Sequence, residues 1–122
     1  MAAMLVAEAG IDGQIGMECV AEVLLNRAAS NRVSAVSLVN SNVFSSLRGT
    51  TPTKLYVKAL REDKDVLQTA LQIADVALNR PDELPRRVHG ATHFCQTKNK
   101  PWWSKHMATV AVVKHHTFYK PR

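Results

Sequence analysis

Residues 14–29 constrain the fold most. Met17, Val20, Ala21, Leu24 and Ala28 fall at i, i+3, i+4, i+7 and i+11, the spacing that gathers apolar groups on one side of an α-helix. A shorter apolar run, residues 2–9, precedes it and is ended by Gly10. Glu18 and Glu22 lie off the apolar stripe, four residues apart on one helix face. The plain reading of that pair is two solvated like charges, mildly unfavourable. The functional reading places Glu22 in a cleft, orienting substrate or water.

Further along, residues 33–39 suggest a short helical turn. Residues 40–53 are rich in Ser, Asn, Thr and Gly and read as loop, with Phe44 in the middle. Residues 64–79 predict a clear helix with Leu67, Ala70, Leu71, Ala74 and Leu78 on its apolar face. Asp63 or Asp65 is placed to cap it and Pro81 to stop it. Residues 80–87 form a basic connector and residues 89–95 a strand. Residues 96–106 form a polar loop holding Pro101-Trp102-Trp103, and residues 108–119 one strand or a bent hairpin strand. Helices followed by a small C-terminal sheet give an α+β layout, and the length suits one domain over residues 1–122.

Apolar residues make up 46% of the chain and charged ones 21%, the balance of an ordinary globular protein rather than a disordered one. No apolar run approaches the ~20 residues that cross a bilayer. The N-terminus lacks a basic head and breaks at Gly10, which leaves it too short for a secretory signal. The two cysteines, Cys19 and Cys95, fit no disulfide framework and read first as two buried thiols. Charge is uneven. Residues 1–50 hold three basic and four acidic side chains, whereas residues 51–122 hold thirteen and six. The second part would attract a polyanion: nucleic acid, an anionic membrane face or a bacterial wall.

Glu8 sits at the end of the first helix. A carboxyl there lies near the negative pole of the helix dipole, and a glycosidic oxygen needs a protonated acid in order to leave. The motif Ala7-Glu8-Ala9, then Gly16 eight residues after Glu8, then Leu24-Leu25-Asn26-Arg27, resembles the spore-cortex-lytic, or cell wall hydrolase, family. Asp12 stands where that family often has Glu. Phe44-Ser45, His93-Phe94, Trp102-Trp103 and Lys114-His115-His116-Thr117-Phe118-Tyr119 are similar to later blocks of the pattern and fall in the same order. The chain departs from the pattern at Lys114 (Gly in the family), His115 (Asn), Val43 (Gln) and His93 (Tyr or Leu).

The resemblance implies a lysozyme-like fold with one catalytic acid, Glu8. It also implies lytic transglycosylation of peptidoglycan at the β-1,4 bond between N-acetylmuramic acid and N-acetylglucosamine. It asks for no cofactor and no metal. The candidate substrate contacts are Glu22, Phe44, His93, Phe94, Trp102, Trp103, His115 and Tyr119. Aromatic faces suit the C–H faces of sugar rings, with polar neighbours for the hydroxyls. Of the two tryptophans, at least one is expected in the core and one at the ligand. Asn26 and Arg27 are expected to bond backbone carbonyls and to pair with an acid. His89, His93 and Cys95 supply zinc-ligand types without a tight two-plus-two spacing.

The partner expected is the peptidoglycan glycan strand, without nucleic acid or membrane insertion. The place of action is the bacterial cell wall. A chain without a signal would reach it as a phage-type lysin, through a holin or in the virion. The competing readings are a non-catalytic glycan-binding or structural phage module on the same scaffold, and a small basic nucleic-acid binder. The latter needs a basic helix face or a sheet of stacked aromatics, and the scattered cations here supply neither.

Overall fold

The computed structural model describes residues 1–40 and 49–122. Five helices come first: α1 (Ala2–Ala9), α2 (Gly13–Asn31), α3 (Ala35–Val39), α4 (Pro52–Glu62) and α5 (Lys64–Asn79). Three strands follow: β1 (His93–Gln96), β2 (Met107–Val113) and β3 (His116–Pro121). They form one antiparallel sheet in the order β1-β3-β2. The class is α+β, mostly helical with a small C-terminal sheet, as the sequence implies.

The central element is α2, which packs against α1, α3, α5 and β1. The five stripe residues are all buried, but so is every residue from Gly16 to Leu24. A helix enclosed on all sides has no solvated face, so periodicity finds one buried side and misses the others. Gly13 opens α2 at φ +70°, where a side chain would be strained. Arg32 closes it in the left-handed region, its N–H reaching the carbonyls of Ala28 and Ala29.

The α4 helix was not expected. Its signal is Thr51-Pro52: the Thr51 hydroxyl accepts from the Lys54 N–H at 3.2 Å, and proline suits the first helical position. Leu55, Tyr56, Ala59 and Leu60 also recur at helical spacing, although Ala59 is its one buried residue. In α5, Leu67, Ala70 and Ala74 are buried as expected, but Leu71 and Leu78 are exposed and Ile73 and Ala77 take their place. Asp63 occupies the cap position of α5 without a side-chain capping bond.

The sheet is a hairpin, β2–β3, with β1 added on the far edge of β3. Of the two readings of residues 108–119, one strand or a bent hairpin strand, the structure has the hairpin: two strands split by a turn at Lys114-His115. Lys114 has φ +52°, a region that favours glycine, and it is here that the resembled pattern carries Gly. Phe94 pairs with Phe118 and both pack toward the helical core. His93, Cys95, Thr117 and Tyr119 occupy the opposite side of the sheet. That side is covered by the segment 97–106: Thr97 bonds Thr117 hydroxyl to hydroxyl at 2.7 Å, and Trp103 meets Tyr119 edge-on at 5.5 Å.

Candidate active site

The four acids of the first two helices and the turn between them have two different fates. Asp12, Glu18 and Glu22 are buried, while Glu8, the penultimate residue of α1, is partly exposed. The remaining six acids of the chain, Glu62, Asp63, Asp65, Asp75, Asp82 and Glu83, are all exposed. Glu8 is therefore the one acid of intermediate exposure among the ten.

Glu22 corrects its sequence reading. It is 1% exposed. Its Oε1 accepts from the backbone N–H of Arg87 at 2.7 Å and of Val88 at 3.1 Å. Glu18, beside it, pairs with the Arg87 guanidinium at 2.8 Å. The two glutamates are neither a solvated pair nor cleft groups. They supply the acceptors that let the connector from α5 to the sheet enter the interior, where Leu84, Val88 and Ala91 are buried. Asn26 does the same one turn further on, its side-chain amide donating to the Ala91 carbonyl at 2.9 Å, as expected. No ion pair joins Arg27 to an acid among the described residues, so that half of the expectation is not met there.

Asp12 ends the tight 3-10 turn that follows α1. One carboxylate oxygen accepts from His115 Nδ1 at 2.5 Å and the other from His116 Nδ1 at 2.6 Å. An ionised carboxylate is an acceptor only, which puts a proton on Nδ1 of each ring. Burial by itself would push the Asp12 pKa up, but the hydrogen bonds and charges of the two histidines hold it below its ordinary value. Gly16 makes room for this: a Cβ there would lie 2.3 Å from Asp12 Cβ. The glycine four residues after Asp12 thus has a steric cause. Nothing in the local sequence announces the role of Asp12, because both partners lie more than 100 residues away.

Of the predicted contacts, the structure brings His93, Trp103 and Tyr119 together. The His93 and Trp103 rings lie 5.4 Å apart, and Thr92 Oγ1 sits 2.9 Å from His93 Nδ1. Burial and, less strongly, the charge of Arg27 push the His93 pKa down, so this imidazole is neutral at physiological pH. Tyr119 is buried beneath Trp103, with Cys95 Sγ 3.7 Å from its hydroxyl.

Phe94 is part-buried and faces His116 at 5.7 Å and Phe118 at 5.9 Å. His115 exposes 67% of its side chain. Neither tryptophan is in the core: Trp103 is half-buried and Trp102 is 76% exposed, against His106. Phe44 lies outside the described residues. Cys19 and Cys95 are free thiols.

An apolar hollow of about 410 Å³ opens between the first turn of α1, the start of α4 and α5. It holds Met1 and Ala3 at one end of α1, whereas Glu8 is at the other.

Compared with known proteins, residues 12–119 match the description of cell wall hydrolases. The chain belongs to the cell wall hydrolase family. The matched span runs from α2 through the connector and the sheet as far as Tyr119 in β3, and it begins at Asp12, four residues after Glu8. Membership places this cell wall hydrolase among proteins that degrade peptidoglycan. No curated protein and no solved structure matches the chain.

Proposed function

We propose that this cell wall hydrolase is a lytic transglycosylase on a lysozyme-like scaffold. It cleaves the β-1,4 bond between N-acetylmuramic acid and N-acetylglucosamine, with Glu8 as general acid and then base. Glu8 donates its proton to the leaving glycosidic oxygen. It then takes the proton of the muramoyl 6-hydroxyl as that oxygen bonds C1, which closes a 1,6-anhydro ring and regenerates the carboxyl balance. One acid suffices because the nucleophile belongs to the substrate. Hydrolases that use water or an enzyme carboxylate need a second carboxyl at about 5–9.5 Å.

The observation that carries the reading is the distribution of acids. Asp12, Glu18 and Glu22 are buried on histidines, Arg87 and backbone N–H groups, and Glu8 alone combines partial burial with access. In this reading Trp102 and Trp103 stack on sugar rings, and His93 meets the hydroxyl and acetamido groups.

The test uses purified sacculi, with the protein and with Glu8→Gln. The wild type releases soluble anhydro-muropeptides, and Glu8→Gln is slower by about 10²–10⁴ at unchanged binding to the wall. Products with ordinary reducing ends would replace transglycosylation by hydrolysis. Binding without any product from either protein would leave a glycan-holding module.

A further inference from the structure

We propose that Asp12, His115 and His116 are positioning residues that fix the end of α1, and with it Glu8, against the β2–β3 turn. The inference rests on the general-acid reading of Glu8. The geometry has three parts. A 3-10 turn of three residues, Gly10–Asp12, links α1 to α2, so the end of α1 and the Asp12 backbone cannot move independently by much. Asp12 gives one oxygen to each of two adjacent imidazoles more than 100 residues away in sequence. One such bond fixes a distance; two fix the plane of the carboxylate as well. Finally, Asp12 is seated against α2 with no clearance, since only a glycine at position 16 leaves room for it.

The turn that carries the histidines is itself held in a costly shape, with Lys114 at φ +52°. Such conformations persist where surrounding contacts over-determine them. A general acid must sit within roughly 0.5 Å of its productive place, and an error of about 1 Å is enough to cost ~10² in rate. A buried, doubly bonded carboxylate four residues after Glu8 meets that demand.

His115 is the position that separates this role from plain stability, because its side chain is largely exposed and its loss does not open the core. An asparagine there can still donate an N–H to Asp12. The experiment measures muropeptide release, KM and thermal midpoint for wild type, His115→Ala, His115→Asn and Gly16→Ala, with Glu8→Gln as the inactive control. His115→Ala is expected to lower kcat about tenfold or more, with KM within about threefold and the midpoint within about 2 °C. His115→Asn restores most of that rate. Gly16→Ala, which displaces Asp12 with both histidines intact, repeats the kcat loss.

Wild-type turnover in His115→Ala or in folded Gly16→Ala overturns the proposal. So does a His115→Asn as slow as His115→Ala, which would assign the imidazole itself to substrate or proton transfer. A wild type that releases nothing sinks the Glu8 reading instead. The clamp is then judged by a downfield His115 Nδ1 proton resonance, present in wild type and lost in Gly16→Ala; its absence from wild type overturns the clamp.

Discussion

At the α1–α2 corner the polar groups are buried and each is held by directional bonds: Asp12 by two imidazoles, Glu22 by two backbone amides, Glu18 by Arg87. On the outer side of the sheet the aromatic groups run from the buried Tyr119 through the half-buried His93 and Trp103 to the exposed Trp102, and His93 and Tyr119 each meet Trp103 ring to ring. The first arrangement fixes positions, because a buried carboxylate without its partners carries a large desolvation penalty. The second offers contact area with little cost for adjustment, which is what a surface for sugar rings requires. Under the proposed function, the placing of the acid and the holding of the substrate fall to separate regions.

Substitutions that strike one arrangement and spare the other sharpen this contrast. The largest effect is expected at Glu22. Its replacement by Ala leaves two buried N–H donors unpaired, at ~1–3 kcal/mol each. Chemical denaturation should therefore show a loss of roughly 3–5 kcal/mol, and a loss under 1 kcal/mol would mean that the connector is not anchored there.

Acid comes next. Asp12 titrates below its ordinary value of 3.8 in the folded protein. The stability this contributes is complete above the unfolded value and disappears as pH falls through the lower, folded one. Urea midpoints measured between pH 6 and pH 3 should fall more steeply for wild type than for Asp12→Asn, and parallel curves would remove Asp12 from the account.

The two tryptophans should differ. Trp103→Ala removes a half-buried ring with two ring partners and is expected to cost about 1–2 kcal/mol, below the ~3–5 of a core ring. Trp102→Ala, at an exposed site, should stay within about 0.5 kcal/mol while weakening retention on sacculi. Equal stability losses at the two positions would break the distinction between support and contact.

The smallest effect concerns reactivity alone. Burial pushes the Cys19 thiol up to about 11. Iodoacetamide at pH 8 should therefore modify Cys95 well before Cys19, read by peptide mass; the reverse order would place Cys19 outside the core.

Legibility in the sequence followed the range of the interactions. The stripe of α2 and the core of α5 at Leu67, Ala70 and Ala74 could be read because burial of a helix side leaves a local periodic trace. The α4 helix carries such a trace in Leu55, Tyr56, Ala59 and Leu60 and a start signal in Thr51-Pro52, but the polar run before it masks the start, and only Ala59 becomes buried. The exchange of Leu71 and Leu78 for Ile73 and Ala77 in the core has the same origin: spacing gives a helix a stripe, and the neighbours decide where its edges lie. The candidate site divided in the same way. The candidacy of Glu8 rests on its flanking motif, whereas the buried anchoring by Asp12 and Glu22 was not legible, because nothing beside them in the chain announces a partner.

The sequence by itself determined α1, α2, α3 and α5, the late position of the sheet, the membership carried by its motifs and the candidacy of Glu8, all properties of neighbouring residues. Only the tertiary structure decided which acids are anchors. Their partners, the amides of Arg87 and Val88 and the rings of His115 and His116, stand 65 to 104 residues away. A carboxylate's role follows from what it meets after burial, and that meeting exists only once the chain has folded.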